Sequence, residues 1–395
     1  MKHYPHIVIV GHARTPIGDL LGHFSNTPAY MLGAKAIQGA ITKSTLNPND
    51  LDEVVMGCVL PAGQGQAPAR QAAIHAGIPV HVGATTINKM CGSGMRSLMM
   101  CYDSILAGST AIAAAGGMEN MSLAPFLLPK MRAGVRMGHS QIYDHMFLDG
   151  LEDAYEKSQL MGIFAEQCVA HYQFTREEQD DFAIASLQRA QNAIKNGLFK
   201  QEIVSIEVQT KKETLIIDTD QLPGRAQPDK IKTLKPAFKK EGSITAANAS
   251  SISDGASAHI LMSIHEAEKR GIKPLARIVG HATHSQEPAW FTTAPVGAIQ
   301  KVLEKAQWEI KDVDLFEINE AFACVTLAAM RELDLPHDKV NVHGGACALG
   351  HPIGASGARI TSTLIEALKH YGLKRGIAAL CIGGGEATAL AIEIL

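Results

Sequence analysis

The chain has 395 residues, of which 46% are hydrophobic and 19% are charged, and its formal net charge is −3. This composition is typical of a soluble globular protein with a large core, and the length suits two domains or one long α/β unit. The charge argues against a nucleic-acid binder, because no half of the chain carries the concentrated Lys/Arg excess that neutralises phosphates.

Cysteine usage and the N-terminus predict the compartment. The seven cysteines are odd in number and scattered, with no CxxC pair and no metal-ligand spacing, which favours a reducing compartment. The first apolar run, residues 7–10, has four residues. It is too short for a signal-peptide core or a membrane span and predicts a buried strand. We therefore expect a cytoplasmic protein with no membrane partner.

Apolar strands and helical patterns then alternate, and both halves of the chain show them in the same order. In the first half, residues 51–60 (LDEVVMGCVL) precede CGSGMRSLMMCYDSIL and then AIAAAGGMEN at 111–120. In the second half, residues 313–322 (VDLFEINEAF) precede GASGARITSTLIEAL and then GIAALCIGGGEAT at 376–388. Such alternation predicts βαβ units whose sheet is covered on both faces.

The spacing within the two halves also agrees. Asp52 lies 41 positions before Ser93, and Asp314 lies 42 positions before Ser356. Each Ser-Gly pair then opens a predicted helix that leads to an apolar strand ending in glycines. An internal duplication explains this register, and ordinary recurrence of α/β patterns is the alternative.

The middle of the chain differs from both halves in composition and pattern. Residues 121–249 contain Pro125, Pro129, the helical pattern REEQDDFAIASLQRAQNAIKNG and the charged run KTLKPAFKKEG. We predict that this segment is an exposed, functional insertion. The predicted domains are residues 1–270, which contain the insertion, and residues 271–395.

Cys91 in NKMCGSG is the first candidate for chemistry. A thiol at the start of a helix meets free backbone N–H groups and the positive end of the helix dipole, which favour the thiolate. Such a cysteine still needs a base. Among 17 histidines, His351 stands out because it lies in GGACALGHPIGASG, the turn that opens the second-half helix. Stabilisation of that loop is its alternative role.

Two more polar groups lie where second-half strands end. Cys381 in CIGGG is either a small core residue or a functional thiol, and the glycines after it, including Gly383, expose backbone N–H groups to a close ligand. Asn319 in EINEAFA is either a helix N-cap or a catalytic polar anchor. The GQG at 63–65 lacks the context of a dinucleotide fingerprint, so NAD or FAD binding is not expected.

These motifs together resemble the thiolase family, and within it the biosynthetic type. The resemblance covers nearly the whole chain through ARTPIG, NKMCGSG, GGMENMS, SDGASA, NEAFA, NVHGGACALGHPIGASGAR and CIGGG in this order. It implies a duplicated α/β fold in five layers, α/β/α/β/α, with a loop domain inserted in the first half. It also implies a reversible Claisen condensation of two acetyl-CoA molecules to acetoacetyl-CoA and CoA.

The resemblance implies a role for each candidate. Cys91 would be acylated to a thioester, His351 would accept its proton, and Cys381 would act as the base for the second acetyl-CoA. Asn319 would hold a water that forms one oxyanion hole with His351, and the N–H groups of Cys91 and Gly383 would form the other. No metal or redox cofactor is expected. The residues we assign to the coenzyme A site are Ser250, Arg225, Lys230, Met161, Ala321 and Phe322.

The chain departs from the family pattern at two places. Glu386 and Ala387 follow the glycines, where the family usually has Met or Gln and then Gly. Leu160 in YEKSQLMG occupies the position before Met-Gly, where acetoacetyl-specific members have histidine. A less polar acyl pocket would accept longer chains.

The segment PFLLPKMRAGVRMG (125–138) resembles the loop through which biosynthetic thiolases form tetramers from dimers, so a homotetramer is expected.

Other functions remain as alternatives. The first is a degradative 3-ketoacyl-CoA thiolase of broader chain length. The second, from another class, is a non-catalytic CoA- or lipid-binding relative, although such a relative would have lost Cys91, His351 or Cys381. A ketoacyl-carrier-protein synthase is disfavoured because that class lacks the second cysteine in CIGGG.

Overall fold

The computed structural model describes residues 6–395, in which fourteen strands and twelve α-helices are formed. The strands β1 to β14 are, in chain order, Ile7–Arg14, Gly18–Asp19, Glu53–Gly57, Gly83–Ile87, Ile112–Asn120, Phe126–Leu127, Tyr143–Asp144, Ile206–Gln209, Thr214–Ile217, Ser253–Ser263, Ala276–Ser285, Leu315–Ile318, Arg375–Ile382 and Glu386–Ile394. The helices α1 to α12 are Ala29–Ser44, Pro68–His75, Ser93–Leu106, Met161–Tyr172, Arg176–Lys195, Gln221–Arg225, Pro228–Ile231, Ile264–Arg270, Ala294–Ala306, Ala323–Glu332, Ala346–Leu349 and Ser356–Tyr371. Short 3-10 or π turns lie at Pro48–Asp50, Phe147–Leu151, Leu198–Gln201, Pro288–Thr293, Ile310–Asp312 and His337–Lys339.

The central sheet repeats one strand order in its two halves. Its order is β12-β13-β14-β11-β1-β10-β5-β3-β4, with β2 beside β10. In the first half β3 runs parallel to β4 and β5, and antiparallel pairs join β5 to β10 and β10 to β1. In the second half β12 runs parallel to β13, and antiparallel pairs join β13 to β14 and β14 to β11. The second-half equivalent of β4 is reduced to a single parallel bridge between Phe316 and Val340.

Two aspartates show the duplication at the level of single hydrogen bonds. Asp52 Oδ2 accepts from the N–H groups of Ala111 and Ile112, at 2.9 Å each, where β5 begins. Asp314 Oδ2 accepts from the N–H groups of Lys374 and Arg375, at 2.9 and 2.8 Å, where β13 begins. Each carboxylate therefore fixes the start of the strand that follows the central helix of its half. The predicted repeat is confirmed.

The helices and strands stack in five layers. Helices α1 and α2 cover one face of the first half-sheet, and α9 covers the outer face of the second, with α10 packed beside α9. Helices α3 and α12 pack against each other and contact strands of both half-sheets, so they form the middle layer. Three separate apolar cores lie between these layers. This is the α/β/α/β/α arrangement predicted from the motifs.

The segment between β5 and β10, residues 121–252, interrupts only the first half. It contains β6 to β9 and α4 to α7, whereas the equivalent connection in the second half is the short turn Gly383–Gly385 between β13 and β14. The domain boundaries placed at 121, 249 and 270 stay a prediction. Within residues 6–395, no helix combines the length and the apolar character needed to span a bilayer.

Candidate active site

A cavity of about 340 Å³ lies where the two halves and the insertion meet. Cys91 reaches it from the loop before α3, His351 from the turn before α12, and Cys381 from the end of β13. Because α3 and α12 are related by the duplication and lie side by side, the turns that open them face one cavity. The structure therefore brings together three residues that are 260 and 30 positions apart in the chain.

The environment of Cys91 differs from the one its sequence position predicts. Helix α3 begins at Ser93 after the N-cap Gly92, so Cys91 precedes the helix. Burial raises the pKa of the Cys91 thiol to about 11, although hydrogen bonds from the backbone N–H groups of Gly383 and of Cys91 itself lower it. Desolvation penalises the thiolate more than two N–H donors stabilise it. At neutral pH the protonated thiol is therefore favoured, and Cys91 needs a base to act as a nucleophile.

The glycine turn after β13 aims a donor at the Cys91 sulfur. Gly384 and Gly385 have φ angles of 93° and 84°, which side chains with a Cβ rarely adopt. A Cβ on Gly385 would also lie 2.4 Å from the carbonyl oxygen of Gln286. This turn leaves the Gly383 N–H pointing at Cys91. Two backbone N–H groups therefore converge on the Cys91 sulfur, the atom to which an acyl group would be bound.

His351 is held as a neutral imidazole with one nitrogen free. Its Nδ1 lies 2.5 Å from Ser356 Oγ, and that hydroxyl donates to the carbonyl oxygen of Pro352 at 3.0 Å. The hydroxyl oxygen therefore accepts a hydrogen bond from Nδ1–H, so the ring proton is on Nδ1 and Nε2 keeps its lone pair. Nε2 is buried and has no hydrogen-bond partner within residues 6–395. Burial, with the charge of Arg359, lowers the pKa of His351 to about 3.

Ser356 is a functional residue that the sequence analysis missed. It was interpreted only as the start of the second-half helix, although its place five residues after His351 was a usable signal. Histidines that act as bases are commonly oriented by a hydrogen bond to the other ring nitrogen. Ser356 serves that purpose here, and its own bond to Pro352 sets the direction of its proton.

Cys381 lies in the cavity wall but is almost completely buried. Its residue exposure is 1%, and burial together with the nearby Cys91 raises the pKa of its thiol well above the usual value. The apolar cluster around it includes Cys168 and Cys324. A thiol in this position is protonated at rest, so it can serve as a proton donor, or as a base once a charge in the cavity changes.

Asn319 is not a helix cap. Helix α10 begins at Ala323 with Phe322 as its N-cap. Asn319 is fully buried, and neither its amide nitrogen nor its amide oxygen has a hydrogen-bond partner within the described part of the chain. A buried amide is normally satisfied. Its unpaired atoms fit the prediction that it binds a water molecule.

Glu119 supports the loops around the cavity from behind. Its carboxylate accepts from the N–H groups of Val59, Leu60 and Gly354, at 2.9, 3.1 and 2.9 Å. It thereby joins the loop after β3 to the turn that carries His351. Burial raises the pKa of Glu119 to about 7 despite these three donors. The sequence analysis used GGMENMS only as a family motif and did not assign this role.

The predicted coenzyme A residues divide between two cavities. Leu160, at the N-cap of α4, lines the first cavity together with four of the predicted residues, which are Met161, Ser250, Ala321 and Phe322. Arg225 and Lys230 line a second cavity of about 320 Å³ instead. Ala246 is in the walls of both cavities, so the two are adjacent. Arg225 is also paired with Asp19, at 2.8 Å.

Comparison with known families places two matches across the chain. Residues 7–265 match the family described as thiolase, N-terminal domain, and residues 272–394 match thiolase, C-terminal domain. The two matches together cover nearly all described residues. The gap between them, residues 266–271, falls on α8 and the glycine that ends it.

Individual relatives are similar over the same length. The chain is 49% identical over 389 residues to the acetyl-CoA acetyltransferase of Chromobacterium violaceum, which covers 98% of this chain and 99% of that protein. It is 47% identical to the probable acetyl-CoA acyltransferase of Staphylococcus aureus, with 98% of each covered. Among solved structures, the crystal structure of the Bacillus anthracis acetyl-CoA acetyltransferase matches with a TM-score of 0.96 and 41% identity, covering 99% of both chains.

Proposed function

The chain belongs to the thiolase family, and we propose that it is an acetyl-CoA C-acetyltransferase that reversibly condenses two acetyl-CoA molecules to acetoacetyl-CoA and CoA. The observation that carries this proposal is the convergence of Cys91, His351 and Cys381 on one cavity, with two N–H donors at the Cys91 sulfur. A Claisen condensation needs a nucleophile to hold one acyl group, a base for a weakly acidic carbon, and donors for the developing oxyanions. These protein groups supply all three.

In the first half-reaction, the Cys91 sulfur attacks the carbonyl carbon of acetyl-CoA and its proton passes to His351 Nε2. The resting pKa values keep both groups neutral, so the proton moves as the sulfur–carbon bond forms rather than before it. The oxyanion accepts from the N–H groups of Cys91 and Gly383. The carbon–sulfur bond to CoA then breaks, and the leaving thiolate takes the proton back from His351. The products are acetyl-Cys91 and CoA.

In the second half-reaction, the Cys381 thiol first passes its proton to the neutral Nε2 of His351, and the resulting thiolate then removes a proton from the methyl carbon of a second acetyl-CoA. The enolate carbon attacks the acetyl carbonyl on Cys91, and the bond to the Cys91 sulfur breaks to release acetoacetyl-CoA. Cys381 keeps that proton and the proton on His351 passes to the Cys91 thiolate, which restores both thiols and the neutral imidazole. Buried Asn319 and the free Nε2 of His351 favour a water-assisted site for the enolate oxygen, because both have unpaired polar atoms.

We assign the acyl and pantetheine end of CoA to the first cavity, with Ser250, Met161, Ala321 and Phe322 in its wall. The second cavity supplies Arg225 and Lys230 for the nucleotide end, because guanidinium and ammonium groups bind phosphates. CoA thioesters are substrates here, and the proposed steps use no metal and no redox cofactor.

A second candidate is a 3-ketoacyl-CoA thiolase that accepts longer chains. The observation that favours it is the apolar wall of the first cavity, which has Phe147, Leu151, Leu160, Phe238 and Ile353. Leucine at position 160 adds no polar group that would exclude an alkyl chain. The Staphylococcus aureus relative carries the broader name acyltransferase.

We also propose that the protein forms homo-oligomers in the cytoplasm, with a tetramer as the expected state. The segment 125–138 exposes Phe126, Met131 and Met137, at 68%, 52% and 95%. Exposed apolar side chains clustered on one segment mark partner surfaces. All seven cysteines are free thiols, which suits a reducing compartment. Light scattering that shows only a monomer at micromolar concentration would refute the oligomer.

Labelling with acetyl-CoA tests the enzymatic proposal. Protein incubated with [14C]acetyl-CoA and quenched in acid should carry label on Cys91, and Cys91→Ala should carry none. Cys101→Ala is the control, because Cys101 is a buried thiol on the helix that follows Cys91 and lies outside the cavity. Full labelling of the Cys91→Ala protein would contradict the assignment. A labelled protein that produces no acetoacetyl-CoA would contradict the condensation.

A further inference from the structure

An ion pair joins the loop of the nucleophile to the turn of the oxyanion donor. Lys89 Nζ lies 2.6 Å from Glu386 Oε2. Lys89 is two residues before Cys91, and Glu386 is three residues after Gly383. The two partners come from opposite halves of the duplicated fold. The pair therefore spans the boundary across which the N–H of Gly383 must meet the Cys91 sulfur.

The Lys89 side of this connection is tightly folded. The Lys89 N–H donates to Ser93 Oγ at 2.8 Å, and that hydroxyl donates to the Met90 carbonyl at 2.7 Å. The Lys89 carbonyl accepts from the Gly92 N–H at 3.0 Å. Cys91 is enclosed by these bonds. A displacement of Lys89 is therefore passed on to the nucleophile.

The Glu386 side is equally constrained. Glu386 opens β14 and pairs with Ile382 across the hairpin, which closes the turn that contains Gly383. Its second carboxylate oxygen accepts from Ser285 Oγ at 3.0 Å. Burial opposes ionisation, but the hydrogen bond and the charge of Lys89 hold the pKa of Glu386 below its usual value, with help from Ser285 and Arg96. Glu386 is thus ionised at neutral pH.

We propose that the Lys89–Glu386 ion pair is a positioning clamp that holds the Gly383 N–H against the Cys91 sulfur. Its effect on rate rests on the proposed function, whereas its effect on the thiol does not. Glu386 stands where the family pattern usually has Met or Gln, and neither of those side chains can form an ion pair with Lys89. Neither residue lines the cavity.

Magnitudes separate this role from a contribution to stability. The side chains of Lys89 and Glu386 are 22% and 31% exposed, and partly exposed ion pairs add little to global stability. Hydrogen bonds, however, weaken steeply when they are misaligned, and a misplacement of about 1 Å at a reacting centre can slow a reaction about a hundredfold. Loss of the clamp should therefore change the chemistry more than the melting temperature.

The variants Lys89→Met and Glu386→Gln each remove the ion pair, and Lys89→Arg retains it. The double variant Lys89→Glu/Glu386→Lys restores an opposite-charge pair. The matched control is Lys311→Met, because Lys311 pairs with Glu309 at the same 2.6 Å on the surface, outside the cavity. Two quantities are measured for each protein: the single-turnover rate of Cys91 acetylation, and the pH dependence of Cys91 alkylation by iodoacetamide.

We expect Lys89→Met and Glu386→Gln to slow acetylation about tenfold. We also expect the alkylation midpoint to rise by about half a pH unit, or about threefold in thiolate fraction, because one N–H donor to the sulfur is weakened. The groups that face the Cys91 thiol, namely Glu119, His351 and Cys381, are unaltered. Lys89→Arg and the charge-swapped double variant should recover most of both losses, with melting temperatures within about 3 °C of the unaltered protein.

The inference is overturned if both single variants stay within twofold of Lys311→Met in rate and in alkylation midpoint. It is also overturned if the charge-swapped variant is no better than either single variant. Failure of the proposed function has a different signature, because the unaltered protein would then not be acetylated at all. The alkylation profiles would still decide whether the clamp exists.

Discussion

Replacing Ser356 with alanine tests how much the activity depends on the orientation of the His351 ring, because the imidazole itself is unchanged. Ser356 is 1% exposed and does not line the cavity, so the substitution leaves the substrate surface unchanged. It removes the hydroxyl that accepts a hydrogen bond from Nδ1–H of His351, and that bond keeps the proton on Nδ1 and the lone pair on Nε2. A ring that turns, or a tautomer that places a proton on Nε2, cannot accept the Cys91 proton.

The magnitude follows from the energy of the orphaned donor. A buried N–H without a partner costs about 1–3 kcal/mol, and about 1.4 kcal/mol corresponds to a factor of ten in an equilibrium. If the ring avoids that cost by leaving the productive orientation, the fraction of molecules with His351 correctly oriented falls by about five- to 150-fold. We expect kcat to fall by this factor, while KM for acetyl-CoA changes by less than about twofold.

Ser362 supplies a matched control on the same helix. Its hydroxyl lies 3.1 Å from His259 Nε2, so Ser362→Ala removes a buried serine–histidine contact that is not part of the site. Rapid-quench measurement of acetyl-Cys91 formation should show a slow Ser356→Ala and a Ser362→Ala within threefold of the unaltered protein. Equal rates for all three proteins would refute the reasoning, because His351 would then keep its orientation without Ser356.

Three further results are expected. Cys381→Ala should slow acetoacetyl-CoA formation by about a hundred- to ten-thousandfold, the usual contribution of a general base, but it should slow Cys91 acetylation less than tenfold. Equal losses in both half-reactions would argue against Cys381 as that base. Thiolysis of 3-ketohexanoyl-CoA decides between the two candidate functions. If the apolar wall beside Leu160 admits longer chains, as in the second candidate, its rate should stay within a hundredfold of that of acetoacetyl-CoA, because each buried methylene adds about 0.8 kcal/mol, or about fourfold in binding, and Leu160→His should slow the longer substrate selectively. A larger deficit in the unaltered protein would support strict acetyl specificity. The free energy of unfolding should fall as pH drops from 6.5 towards 3, because the unfolded chain protonates His351 whereas burial keeps its folded pKa at about 3. Each such group contributes a slope of about 1.4 kcal/mol per pH unit, so urea unfolding of His351→Asn at pH 4.5–6 should depend on pH by one proton less. Plots of unfolding free energy against pH that run parallel for the two proteins would contradict this.

The sequence by itself determined the elements and their repetition. The pattern CGSGMRSLMMCYDSIL predicted a helix, and α3 runs from Ser93 to Leu106. The pattern GASGARITSTLIEAL likewise predicted α12, which begins at Ser356. Alternation and helical periodicity are local properties that depend on residues a few positions apart. The nearly equal spacings from Asp52 to Ser93 and from Asp314 to Ser356, 41 and 42 positions, indicated the duplication, because a repeat is visible in the order of its motifs without knowledge of their contacts.

The sequence also identified Cys91, His351 and Cys381 as candidates, since each stands beside glycines at the end of an element. Whether these turns meet was a matter of topology. The duplication predicted that they would, and the side-by-side packing of α3 and α12 brings them to one cavity.

Tertiary structure alone decided the protonation of the site. The start of a helix favoured a thiolate at Cys91, but burial raises the thiol pKa to about 11, and burial depends on residues from both halves and from the insertion. The N-cap interpretation of Asn319 likewise depended on where α10 begins, and that helix starts four residues later. Desolvation sums over all neighbours, so it cannot be obtained from local sequence.

Long-range partners were also beyond the sequence. Lys89 and Glu386 are 297 positions apart, and each alone resembles an ordinary charged surface residue. Glu119 is 235 positions from Gly354, whose N–H donates a hydrogen bond to the Glu119 carboxylate. Only the folded chain brings such residues within hydrogen-bond distance, because the register of β13 with β14 and the packing of the two halves determine which side chains meet.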